Sequence, residues 1–173
     1  MRILLLLTAA LTACAQSPNE ALQQALGPVQ AWVGRALVLI VNPPPDPAPF
    51  QRAAQFPQPL DPLEAVVTPG SVYLSIAQIL SFRSSQELAE FLAHAAAHAR
   101  LRHPERMAEV MTEVAILNTT HAPPEVAETL QIRTRKEMEE EAAPVTAEFM
   151  ATSGCAPGPC QMFGLLLQAV RRR

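Results

Sequence analysis

The stretch Ser84-Ser85-Gln86-Glu87-Leu88-Ala89-Glu90-Phe91-Leu92-Ala93-His94-Ala95-Ala96-Ala97-His98-Ala99-Arg100-Leu101-Arg102-His103 decides the reading of this chain. Ser84 followed three residues later by Glu87 has the form of a capping box, in which each side chain satisfies a backbone N–H at a helix start. The run from Gln86 to His103 is rich in Ala and Leu, both strong helix formers, and predicts a helix. On that helix His94 and His98 lie four residues apart. Their imidazoles project from one face about one turn apart, the spacing with which two histidines of one helix bind zinc. The surrounding alanines make a smooth face on which a second helix can pack. His103, at the end of the run, reads as a solvated or capping residue, too distant to act at the histidine pair.

C-terminal to this run, Pro104 suits the first turn of a new helix reaching Leu117. Residues 118–124 read as a loop, and a long helical region follows from Glu125 to Thr152. Pro144 is expected to kink it, and Gly154 to end it. Gln161 to Val170 predicts one more helix. Upstream, Glu64–Thr68 and Ser71–Ile76 read as strands separated by Pro69-Gly70, and Ala36–Val41 as a buried strand. Asn19–Leu26 has a short helical pattern. Between Asn42 and Pro62 proline is too dense for regular structure. A small sheet followed by helices is an α+β arrangement.

The first residues read as an export signal: Arg2, then the apolar run Ile3–Leu7, too short for a membrane span of about 20 residues. Leu11-Thr12-Ala13-Cys14 resembles a bacterial lipobox. This implies cleavage of residues 1–13 and lipidation of Cys14, so that the protein is anchored to a membrane of the cell envelope without crossing it. Ala15, rather than aspartate, follows Cys14, which points to the outer membrane, facing the periplasm, in a double-membraned bacterium. Cleavage moves the formal charge from −3 to −4, and nothing in that balance points to nucleic acid as a partner. Cys155 and Cys160 enclose Pro157-Gly158-Pro159, a sequence that favours chain reversal, and predict a short-loop disulfide.

Val67-Thr68-Pro69-Gly70-Ser71-Val72-Tyr73-Leu74-Ser75, the helix bearing His94 and His98, and Arg102-His103 together resemble a known family. It is that of the zinc metallopeptidases of gluzincin type that include the prenyl-protein peptidases, the heat-shock membrane peptidase HtpX and the periplasmic outer-membrane-assembly peptidases. In that family a Pro-Gly turn leads into an edge strand, then a helix with H-E-x-x-H, and a later helix carries E-x-x-x-D. Glu139–Ala143, with Ser153-Gly154-Cys155-Ala156-Pro157 beyond it, falls into this frame. The resemblance spans Ala65 to Pro157. It implies a minigluzincin-like domain over residues 64–173, preceded by a 14–63 segment holding one strand and the proline-rich loop. It also implies His94, His98 and Glu139 as zinc ligands, and Val72, Tyr73 and Leu74 as a substrate-binding edge strand. Composition alone does not single out Glu139, since the acidic run Glu137–Glu141 also suits a solvated helix face.

Two departures bear on function. The glutamate that in the family takes a proton from the attacking water is Ala95 here, and such an acid–base group contributes roughly 10²–10⁴-fold in rate. The family's aspartate, which supports the ligand shell, is Ala143; such partners matter about 10–100-fold in metal affinity. Weak or lost zinc binding and no intact catalytic residue are therefore expected. Three readings follow. The first is a non-catalytic module that binds extended polypeptides or envelope proteins, the second an active zinc endopeptidase with an unorthodox base. The third is a structural lipoprotein.

Overall fold

A computed structural model describes residues 18–36, 38–41, 66–68, 70–120, 122–155 and 160–172. The export signal, Cys14, the proline-rich stretch and residues 156–159 lie outside the described residues. Along the chain come α1 (Pro18–Val33), β1 (Val38–Val41), β2 (Val66–Thr68), β3 (Ser71–Leu74), α2 (Ile76–Ser81), α3 (Ser85–Arg100), α4 (His103–Thr119), α5 (Pro124–Thr152) and α6 (Gln161–Arg171). The result is a helix-rich α+β fold, as the order of elements in the sequence predicts.

Helix α1 is longer than the Asn19–Leu26 pattern suggests. Leu22, Ala25, Val29 and Val33 are buried at helical spacing, and this apolar stripe carries the helix through Pro28. It ends where Gly34 turns to φ 62° and donates its N–H to the Gln30 carbonyl at 3.0 Å. This is the left-handed C-terminal position that glycine occupies at least cost.

The three strands are ordered β1-β3-β2. Strand β1 runs parallel to β3, from Val38 opposite Ser71 to Val41 opposite Leu74. Strand β2 runs antiparallel to it, from Val66 opposite Tyr73 to Thr68 opposite Ser71. The expectation that Val72, Tyr73 and Leu74 form an edge strand is therefore wrong. Strand β3 is central, and its backbone groups are already engaged on both sides, so they cannot take up a further strand. Sequence pattern shows which residues are extended but not which strand arrives from elsewhere in the chain, and here β1 fills the vacant edge. Since β1 pairs with β3 and α1 packs against α6, these two elements belong to the same core as the helices that follow. Strand β3 also ends earlier than Ile76, because Ser75 caps α2, its hydroxyl accepting from Gln78 N at 3.0 Å.

The capping box at α3 forms in a shifted form. Ser84 Oγ accepts from Glu87 N at 3.1 Å, and the Glu87 carboxylate accepts from Arg83 N at 2.7 Å, one residue earlier than the motif's usual donor. Helix α3 then buries Leu88, Ala89, Leu92, Ala93, Ala95, Ala96 and Ala97. So many buried alanines allow other helices close approach, and α3 packs along α5 as well as against α6. Helix α5 continues through the exposed Pro144 to Thr152. Beyond it, Gly154 takes φ 72°. The Cys155–Cys160 disulfide joins this end of α5 to the start of α6. Helix α6 drives Phe163, Leu166 and Val170 into the core, where Trp32 of α1 stands edge-on to Phe163 at 5.1 Å and to Phe149 of α5 at 5.7 Å. Among the described residues no helix is long and apolar enough to cross a membrane.

Candidate metal centre

His94 and His98 lie where the spacing on α3 places them. Their rings meet edge to face at 4.4 Å, with the two Nε2 atoms 3.0 Å apart. Opposite them stands Glu139 of α5. Its Oε2 lies 3.2 Å from His94 Nε2 and its Oε1 3.4 Å from His98 Nε2. The three donors predicted from the sequence therefore converge, and they form a group able to hold a metal ion.

The selection of Glu139 from an acidic run follows from helix geometry. Thr134, Met138 and Ala142 are the buried stripe of α5 at this level. At about 100° per residue, Glu139 and Glu141 flank that stripe on opposite sides while Glu140 points away from it. Glu137 and Glu140 instead make exposed i,i+4 pairs with Arg133 and Lys136, at 3.7 and 3.8 Å. Pairs of this kind contribute a few tenths of a kcal/mol at most, about 0.3–0.5.

The donor set suits zinc. Bonds of about 2.0–2.1 Å to a tetrahedral ion put neighbouring donors about 3.3–3.4 Å apart, and the three separations here run from 3.0 to 3.4 Å. Two imidazole nitrogens and one carboxylate leave a fourth position to an outside ligand. The side chains of His94 and Glu139 are 44% and 60% exposed, against 18% for His98, so the group is open to solvent. Burial holds the pKa of His98 below its ordinary value, with the neighbouring His94 and His103 adding to the effect and Glu139 opposing it. His98 is thus biased towards the neutral form a metal ligand needs.

His103 is not the solvated residue that its place in the sequence suggests. Helix α3 stops at Arg100, and Arg102, at φ 58°, turns the chain sharply so that His103 opens α4. Its imidazole is 2% exposed. Nδ1 lies 2.9 Å from His98 Nδ1, and Nε2 lies 3.1 Å from Glu141 Oε2. Arg106, one turn further along α4, donates to both oxygens of Glu141. The Arg106 hydrogen bond, then that of His103, holds the Glu141 carboxyl below the usual carboxylate range. These three residues were not assigned to the site from sequence. The only trace of them there is the Arg-His pair after the helix and a carboxylate two positions from Glu139.

The two alanines differ in their surroundings. Ala95 is 2% exposed and part of the hydrophobic core, and its methyl offers nothing to a proton. Ala143 is exposed, and the far nitrogen of His98 is met by His103 rather than by any side chain at position 143. No protein-family model, no curated protein and no solved structure matches the chain.

Proposed function

We propose that this chain is a metallopeptidase-like envelope lipoprotein that holds zinc through His94, His98 and Glu139 and binds polypeptide without hydrolysing it. The observation that carries the reading is the convergence of those three donors at zinc-compatible separations beside a buried Ala95. A zinc ion held there would supply Lewis acidity. The chain supplies the rest. His94 and His98 would bind through Nε2, Glu139 would supply the third donor, and the side chain next to His94 is an apolar methyl. The Ala95 methyl can neither accept a proton from an attacking water nor return one to a leaving amine. The missing acid–base contribution of roughly 10²–10⁴-fold leaves hydrolysis without its proton carrier.

An extended polypeptide is the ligand that suits an outer strand, by addition of one more strand. Among the described residues β2 pairs with β3 alone and packs against α3, the helix that carries the histidines. Anchoring through a lipid on Cys14 would hold this surface at a membrane.

Zinc analysis of the purified mature chain, with a casein-type proteolysis assay run with and without chelator, tests the reading. About one zinc per chain with no cleavage is the expected result. Chelator-sensitive cleavage that disappears in His94→Ala overturns the non-hydrolytic half of it, and absence of bound zinc overturns the other. Incorporation of labelled palmitate, lost in Cys14→Ser, checks the anchor.

A further inference from the structure

His103 is buried among groups that match both of its nitrogens, and the match has a direction. Glu141, held by Arg106 on both carboxylate oxygens, is ionised and can only accept. The 3.1 Å contact from His103 Nε2 to Glu141 Oε2 therefore places the proton on Nε2. With that one proton, His103 keeps a lone pair on Nδ1. The 2.9 Å approach of His98 Nδ1 to that atom is a hydrogen bond only if His98 donates. With its proton on Nδ1, neutral His98 keeps the lone pair on Nε2, the atom that faces His94 and Glu139.

We propose that His103 is a positioning residue which, together with Glu141, fixes His98 in the Nδ1–H tautomer and so presents its Nε2 lone pair to a divalent metal ion. The inference rests on the zinc reading of His94, His98 and Glu139 and adds what orients one of those ligands. A metal-bound imidazole commonly gives its other N–H to a carboxylate. Here a second imidazole is interposed, and the carboxylate acts through it. The backbone builds the arrangement: the left-handed turn at Arg102 brings the start of α4 back against the end of α3, with the rings of His98 and His103 4.8 Å apart. The Glu141 side of the relay comes from the flank of α5 opposite Glu139. One helix thus serves the site twice, once as ligand and once as support.

The test uses the full mature chain and has two arms. In the first, the metal-free protein carries ¹⁵N-labelled histidine, and the ring spectrum of His98 reports its tautomer. Nδ1–H in the native chain, giving way to a mixture in His103→Leu, is expected; Nε2–H in the native chain overturns the proposal. In the second, zinc affinity is measured by competition with a chromophoric chelator. His103→Leu is expected to weaken binding by about 10–100-fold. His103→Gln, whose amide can both accept from His98 and donate to Glu141, should recover most of the loss. Glu141→Leu should weaken binding in the same direction. That side chain is 45% exposed, so its replacement leaves the core intact even where a change at the buried His103 does not. Native affinity in both His103→Leu and Glu141→Leu, with loss in His94→Ala, overturns the proposal. A native chain that binds no zinc defeats the underlying metal reading instead, and the tautomer of His98, read without metal, tells the two failures apart.

Discussion

Glu139 Oε2, on α5, lies 3.2 Å from His94 Nε2, on α3, and this contact between two partly exposed side chains closes the only three-donor group found among the described residues. Nothing but their positions on two packed helices brings the residues together. The consequences for metal, stability and pH can be measured separately.

Zinc should stabilise the folded chain through this group. Free zinc a hundredfold above its dissociation constant adds about 2.7 kcal/mol to the folded state, read as an upward shift of the thermal midpoint. Both His94→Ala and Glu139→Ala should abolish the shift while leaving the metal-free midpoint near that of the native chain, since both side chains are substantially exposed. A shift that persists in His94→Ala would place the metal elsewhere.

Placing a glutamate at position 95, as in the peptidases the sequence resembles, should not create hydrolysis. Ala95 is 2% exposed and packed in the core, so Ala95→Glu must either bury a carboxylate or push the packing apart, at a cost of roughly 1–3 kcal/mol for overpacking alone. Urea unfolding should show the midpoint falling, and the casein assay should stay at background. An undiminished midpoint would mean that a carboxylate has room beside His94.

The disulfide between Cys155 and Cys160 spans a sequence separation of 5. For so short a loop the chain-entropy relation gives about 2 kcal/mol. The Cys155→Ser, Cys160→Ser variant should lose about that much unfolding free energy in urea, and the native chain should lose it on reduction. Equal stability of the oxidised and reduced chains would remove the disulfide's part in docking α6.

Phe163 is fully buried and stands edge-on to Trp32. Phe163→Ala should destabilise by about 3–5 kcal/mol, the cost of a large aromatic cavity. Its unfolding curve should shift without change of slope.

Glu141 has its carboxyl held low by hydrogen bonds from Arg106 and His103. A group with a depressed folded pKa stabilises above the unfolded value, near 4.5, and that contribution is lost as pH falls through the lower folded value. Between pH 6 and pH 3 the native chain should therefore lose more stability than Glu141→Gln, measured as urea midpoints. Parallel losses would show that the pair contributes nothing to stability.

Much of the fold was legible in the sequence. Ser84 and Glu87 marked the start of α3, Gly154 lies just past the end of α5, and the i,i+4 histidines lie on one face because helix periodicity leaves no alternative. Ser75 was not legible as a helix start, since it continues the extended pattern of Ser71–Leu74. The length of α1 was not legible, because Gly27 and Pro28 look like stop signals. Only packing of Val29 and Val33 against the core outweighs the local cost of that proline. Pairing misled in the same way for Val72–Leu74, which are extended as expected but central in the sheet.

The sequence by itself determined the local chemistry: two histidines one turn apart, an alanine directly after the first of them, and cysteines close enough to join. These depend on neighbours along the chain, and backbone geometry fixes such neighbours. The resemblance pointed to Glu139, but only the tertiary structure brings it, rather than Glu137 or Glu140, to face the histidines, and only it shows His103 buried between His98 and Glu141. Those choices depend on how α5 is rotated against α3 and on the turn at Arg102 that folds α4 back. Both are set by side-chain packing between elements distant in sequence.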